Sequence, residues 1–248
     1  MTQTALITGA ARRIGRSVAL SLAERGYDIV VHYHRSEQAA LSLVGEIEAR
    51  GRKAAAIAAH LEIPKQIEAL IPRAVDMMGP LTLLINNASH FARDTLDTAS
   101  YDSFLAHQQV NLYAPMALSQ AFAAQAPAGS QIINMSDGVF GWSMSPHFFS
   151  YSLSKFGLVS LTELLAAALA PQVRVNAVAL GPTLPGVMEK PGTFEKLASH
   201  APLKRVSSPE EVVAAIDYLM AAPSVTGQVI YLSAGMQLGG LMRDTMQP

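Results

Sequence analysis

Short apolar runs alternate along the chain with longer stretches of helical periodicity. The first run, Thr4-Ala5-Leu6-Ile7, ends in Thr8-Gly9-Ala10-Ala11-Arg12-Arg13-Ile14-Gly15. Ile14, Val18 and Leu22 then recur four apart, and Gly26 is placed to stop a helix. A second run, Asp28-Ile29-Val30-Val31, leads into His32-Tyr33-His34-Arg35-Ser36. The same reading gives a helix over 37–50 capped by Ser36 and closed by Gly51, a strand over 54–59 and a helix from Pro64 to about 78. A buried strand over 81–85 ends in Asn86-Asn87-Ala88-Ser89, and one helix over about 101–125 carries Asn111. The strand 131–135 runs into Ser136-Asp137, and Tyr151 to Lys155 opens a helix reaching about 170. A strand over 173–178, a Pro/Gly-rich loop over 180–208, a helix over 209–221 and a strand over 228–232 complete the pattern. Seven strands alternating with helices predict an α/β, doubly wound parallel sheet in a single domain, 1–248.

Strand, glycine turn, helix and strand form the unit that lays a dinucleotide pyrophosphate on a helix N-terminus. Gly9 lets the chain turn tightly, and Gly15 lets the helix approach the sheet. The plain alternative is a structural turn. An NAD site usually offers Asp or Glu at the end of the second strand to hold the ribose 2′-hydroxyl. Here that end carries His34, Arg35 and Ser36, with Arg12 and Arg13 in the facing turn. Guanidinium forks match phosphate oxygens, so the expected cofactor is NADPH/NADP rather than NAD. Gly9, Arg35, Asn87, Asp137 and Gly181 each follow a different strand, at the edge where such sheets collect ligands. The loop 180–208 reads as a lid over that edge.

Composition narrows the function classes. The 248 residues are 50% apolar with a formal charge of −1, which points to no nucleic acid and no membrane surface as partner. Cysteine is absent, which excludes disulfides, thiolate catalysis and thiolate metal sites. No basic leader precedes the first strand and no apolar stretch reads as long enough to span a bilayer, so a cytoplasmic protein is expected.

Tyr151 and Lys155, four apart, share a helix face. A phenol titrates near 10, and a nearby ammonium should pull it towards neutrality, making a proton donor to accompany a hydride.

Thr8-Gly9 with Gly15, Asn86-Asn87-Ala88, Asn111, Tyr151 with Lys155, and the Asn176-to-Gly181 stretch together resemble the short-chain dehydrogenase/reductase family, with its Rossmann-type fold, over nearly the full chain. The resemblance implies that Tyr151 is the acid and that Lys155 lowers its pKa and holds the nicotinamide ribose. It implies that Asn111 holds a water linking Lys155 to solvent and that Asn87 lies near the adenosine side. The cofactor contacts it leads us to expect are Gly9, Arg12, Arg13, Ile14, His34, Arg35, Ser36, Leu61, Asn87, Ala88, Ser89, Tyr151, Lys155 and Gly181. Members commonly form tetramers through the helix after Tyr151 and the C-terminal strand, which here include the apolar stretches 158–161 and 229–232.

The departures carry more information. Arg13 stands where the family turn has a glycine, Asp137 replaces the usual catalytic serine, and Asn87-Ala88-Ser89 replaces Asn-Ala-Gly, with Phe91 two residues on. His60 takes the place of an aspartate that touches adenine, and the interval from Asp137 to Tyr151 is about one residue longer than usual. With His34-Arg35-Ser36, these resemble the pteridine reductase branch, including dihydromonapterin reductases. That likeness implies substrate contacts at Arg13, Ser89, Phe91, Asp137 and Tyr151, with Phe91 stacking on a pterin and Asp137 partnering Tyr151. A carboxylate only accepts hydrogen bonds, so it suits a pterin's N–H donors better than a ketone oxygen. The bland readings are Phe91 in the core, Asp137 as a turn cap and His147 as a loop histidine. Met188, Met236, Met242 and Met246 read as apolar filler or pocket lining. The alternatives are a ketone, quinone or 3-oxoacyl reductase of the same fold, and a non-catalytic NADPH-sensing protein.

Overall fold

The computed structural model describes residues 3–138, 146–185 and 192–238. Met188, Met242 and Met246 lie outside these residues, and Met236 is buried. The strands are β1 (Thr4–Ile7), β2 (Asp28–Tyr33), β3 (Ala54–Ala58), β4 (Leu83–Asn86), β5 (Ser130–Asp137), β6 (Val173–Leu180) and β7 (Val229–Leu232). They form one sheet in the order β3-β2-β1-β4-β5-β6-β7, with every neighbouring pair parallel. The helices are α1 (Arg13–Glu24), α2 (Glu37–Glu48), α3 (Pro64–Met78), α4 (Tyr101–Gln108), α5 (Ala114–Gln125), α6 (Phe149–Leu169), α7 (Thr193–His200) and α8 (Pro209–Ala221).

Strand alternation splits the core in two. Ala5 and Ile7 face the layer of α1, α2 and α8 with Leu22, Leu43 and Ile216. Leu6 and Val30 face the other layer with Leu70, Leu118 and Phe122 from α3 and α5. Both faces of β1 are covered, which is why Thr4–Ile7 reads as a continuous apolar run. Strand order reverses between β1 and β4, and that crevice is where ligands bind in open α/β sheets.

Four expectations change. The helix over 101–125 is interrupted by a π turn, Gln109–Tyr113, which carries Asn111. An inserted residue of that kind leaves no trace in periodicity. The loop 180–208 contains α7, an eight-residue helix that is too short to stand out by periodicity among the surrounding Pro and Gly. Ser36 does not cap α2 with its side chain. Finally, α6 has 21 residues and an apolar window of mean hydropathy 1.4, long and apolar enough by composition to cross a membrane. In the fold it packs on β5 and β6 and carries Tyr151 and Lys155 as buried residues.

Candidate active site

The glycine turn is built by close approach. Gly9 has φ +62, and a Cβ on Gly15 would lie 2.5 Å from the Gly9 carbonyl oxygen and 2.7 Å from Asn87 Nδ2. Only glycine fits there. Asn87 Nδ2 donates to the carbonyls of Thr8 at 2.8 Å and Gly9 at 3.2 Å, which ties the turn to the end of β4. His32, buried in β2, accepts from Gly9 N–H at Nδ1 (3.0 Å), so its other nitrogen, Nε2, donates to the Ala59 carbonyl at 3.1 Å. Burial lowers its pKa to about 4, so the ring stays neutral and braces the turn from below.

A cleft of about 430 Å³ opens above this turn. Gly9, Arg12, Arg13, Ile14, Leu61, Asn87, Ala88 and Ser89 line it, joined by His34, His60 and Glu62. The His34 and His60 rings pack with centroids 4.0 Å apart. Arg35 is exposed just beyond β2, and Ser36 is half-buried beside it. The acid that follows, Glu37, accepts from the Tyr33 hydroxyl at 3.3 Å. Arginine and histidine side chains at the end of β2, together with a turn that excludes Cβ atoms, fit a phosphorylated dinucleotide. Arg13 takes φ +56, the left-handed conformation of the glycine it replaces. Its guanidinium donates to the carbonyls of Pro185 (2.9 Å) and Leu184 (3.3 Å), so it grips the loop after β6. Gly181 stands apart from the cleft wall: its N–H donates to Leu232 O at 2.7 Å and a Cβ would meet Ser233 Cα at 2.7 Å. It closes β6 onto β7.

Ser89 joins the cleft to Tyr151: it lines the cleft, and its hydroxyl favours the Tyr151 phenolate. The Tyr151 hydroxyl donates to Asp137 Oδ2 at 3.0 Å. Lys155 Nζ donates to Met135 O at 3.0 Å and lies 5.7 Å from the Tyr151 ring centroid, with further N–H donors left for a ribose. Burial lowers Lys155 to about 8, opposed by the Asp137 charge. The expected lowering of Tyr151 is reversed. Burial first, then the Asp137 charge and hydrogen bond, push the phenol well above its ordinary range, and only Ser89 pulls the other way. Tyr151 is therefore a protonated donor over the neutral range.

Asn111 holds the loop after β4 with its whole amide. Its Oδ1 accepts from His90 N–H (2.8 Å) and the Ser89 hydroxyl (3.2 Å), and its Nδ2 donates to His90 O and Ser154 Oγ (both 2.9 Å). Both ends of the side chain are thus engaged by protein partners. Phe91 is not a core residue. It is 56% exposed, stacks on Phe148 at 4.8 Å and meets the Tyr151 ring edge-on at 4.7 Å. Asp137 pairs with Tyr151 rather than capping a turn alone, and exposed His147 lies 3.4 Å from Arg93. His32, His90 and Asp94 were not read as site residues, and no local spacing marks them. His32 and His90 line the cleft, as does His60, which the sequence placed where the family has an aspartate near adenine.

Residues 9–237 match the family described as enoyl-(acyl carrier protein) reductase. The chain belongs to the short-chain dehydrogenase/reductases. Among members of this family, a 3-oxoacyl-[acyl-carrier-protein] reductase, FabG, of Staphylococcus aureus is 33% identical over 256 residues, covering 96% of this chain and 99% of that protein. The crystal structure of FolM alternative dihydrofolate reductase 1 from Brucella canis, complexed with NADP, is 35% identical with a TM-score of 0.93, covering 98% of this chain and 97% of that one. A short-chain dehydrogenase from Burkholderia cenocepacia in complex with NADP is 28% identical with a TM-score of 0.88, covering 94% and 97%.

Proposed function

We propose that this chain is an NADPH-dependent reductase of a pterin: dihydropterin, dihydromonapterin or dihydrofolate. The observation that carries this reading is the Tyr151 hydroxyl donating to Asp137 Oδ2 at 3.0 Å. A carboxylate beside the proton donor accepts from the amino and ring N–H groups of a pterin, whereas it would repel a carbonyl oxygen. Phe91, largely exposed and perpendicular to Tyr151, offers a flat ring a stacking face. NADPH in the cleft supplies the hydride. Tyr151 gives the accompanying proton to the reduced C=N nitrogen and recovers one through Asp137. Lys155, charged below about pH 8, holds the ribose. The likeness to FolM, an alternative dihydrofolate reductase, supports the reading.

A second reading has its own support. The Ser89 hydroxyl, on the Tyr151 side of the cleft, can turn from Asn111 Oδ1 to donate to a carbonyl oxygen, and the Staphylococcus aureus relative is a 3-oxoacyl reductase. NADPH consumption measured with dihydrobiopterin, dihydromonapterin, dihydrofolate, simple ketones and a 3-oxoacyl thioester decides between them. The pterin reading expects the highest kcat/KM on a pterin, and the highest value on a ketone or thioester overturns it. We also propose a homotetramer, supported by β7 at the sheet edge with all four residues half-exposed and by exposed Leu153 and Leu164 on α6. Sedimentation of a monomer would overturn that assembly.

A further inference from the structure

Helix N-termini leave their first N–H groups without partners, and the residue before α6, Phe148, supplies no side-chain cap. The partner comes instead from Asp94, 56 residues from Ser150 in sequence and 4% exposed. The Asp94 carbonyl oxygen accepts from Phe149 N–H at 3.2 Å, and Oδ1 accepts from Ser150 N–H at 3.0 Å. Oδ2 accepts from the Ser103 hydroxyl of α4 at 3.1 Å. Fully buried His107 fixes the other side, with Nδ1 donating to Ser103 O at 2.7 Å and Nε2 accepting from Ala92 N–H at 3.2 Å.

The placement matters because both sides of the substrate wall hang on this residue. Tyr151 is the next residue along α6 after Ser150. Phe91, three residues before Asp94, stacks on Phe148 and meets Tyr151 edge-on. We propose that Asp94 is a positioning residue: by capping α6 from the loop that carries Phe91, it fixes the Tyr151 phenol against Phe91 and Asp137. This rests on Tyr151 being the proton donor, but not on which substrate receives the proton. Burial would raise the Asp94 pKa, yet the hydrogen bonds from Ser150 and Ser103 hold it below the usual carboxylate range. The group therefore stays an acceptor throughout the working range. The groups that face Tyr151 in turn are Asp137, Ser89, Lys155, His107 and Phe91.

The test uses the full chain with Asp94→Ala and Asp94→Asn. The first readout is phenolate absorbance of Tyr151 against pH, taken as the difference between each protein and its Tyr151→Phe counterpart. Asp94→Ala should let Tyr151 titrate at lower pH than in the parent. It should also lower kcat by about tenfold or more, as small misplacements of a reacting group do. NADPH affinity should stay within about two-fold, which separates reaction geometry from cofactor binding. Asp94→Asn keeps an acceptor for Ser150 N–H and should recover most of kcat. A folded Asp94→Ala with the parent's kcat and phenol titration overturns the proposal, and so does Asp94→Asn as slow as Asp94→Ala. Should Asp94→Ala not fold, Ser103→Ala is read by the same titration, where a smaller downward shift is expected and no shift overturns it. If the parent prefers ketones to pterins, the pterin reading fails while the Asp94 test proceeds on the ketone. Full activity in Tyr151→Phe would remove the premise of both.

Discussion

Lys155 Nζ donates to the Met135 carbonyl at 3.0 Å from a fully buried position, so its charge is held by the end of β5 and by Asp137. Its pKa of about 8 and the raised Tyr151 pKa separate the two groups of the pair. The basic limb of the kcat/KM profile should therefore fall near pH 8, from loss of the Lys155 charge, rather than above 10, from the phenol. A single limb above 10 would refute this assignment.

The same shift predicts a stability change. Lys155 is lowered from 10.5 unfolded to about 8 folded, so the unfolded chain binds the extra proton between those values. Its cost is full below about 8 and is relieved as pH rises to 10.5. The stability of the parent minus that of Lys155→Met should rise by roughly 3 kcal/mol across this window. Denaturant melts at both ends check it, and a flat difference counts against the buried ammonium.

His32 gives the opposite limb. Its pKa falls from 6.5 to about 4 on folding, mainly through burial, so the unfolded chain again takes the proton first. The stability it contributes is full above 6.5 and is lost as pH falls towards 4, by roughly 3 kcal/mol. His32→Gln, which can still bridge Gly9 N–H and Ala59 O, should flatten that acid limb. Equal slopes for parent and His32→Gln would show that other groups set it.

Much of the site was legible because its chemistry is local. Gly9 and Gly15 follow a strand and open a helix, and Tyr151 and Lys155 repeat at one turn of α6. The Asp137 departure also pointed correctly to Tyr151, which it contacts. What escaped depends on distance in sequence or on burial. Asp94 meets Ser150 across 56 residues and His32 meets Ala59 across 27, separations that no motif records. The sign of the Tyr151 shift turns on how deeply the ring is buried, which spacing does not reveal. Arg13 was read as a phosphate fork; it lines the cleft, and the contact that no spacing revealed is the one its guanidinium makes with the loop at Leu184 and Pro185.

Cofactor preference should rest on the cations beyond β2. Arg35 is exposed there, and Arg12 and His34 line the neighbouring cleft. Arg35→Asp removes a phosphate partner and adds repulsion, so NADPH affinity should fall about 10–100-fold, the worth of one charged hydrogen bond. NADH affinity should change far less. Titration with both cofactors checks it, and a parent that binds them equally would overturn the preference.

The proposed choice of a pterin substrate rests on Asp137. It accepts from the Tyr151 hydroxyl at 3.0 Å, and its charge raises the pKa of both Tyr151 and Lys155. In Asp137→Ala the phenol loses its acceptor and the proton loses its route back. Turnover on a dihydropterin should drop by about 10²–10⁴-fold, as for other lost proton-transfer groups. NADPH affinity should hold, because the cleft that receives the nucleotide is lined by other residues. Asp137→Ser should lose pterin turnover too, yet gain activity on simple ketones, since a hydroxyl donates where a carboxylate cannot. Steady-state kinetics on both substrate classes separates the outcomes. Pterin turnover within a few-fold of the parent in Asp137→Ala would leave Asp137 as a cap on β5 and favour an ordinary carbonyl reductase.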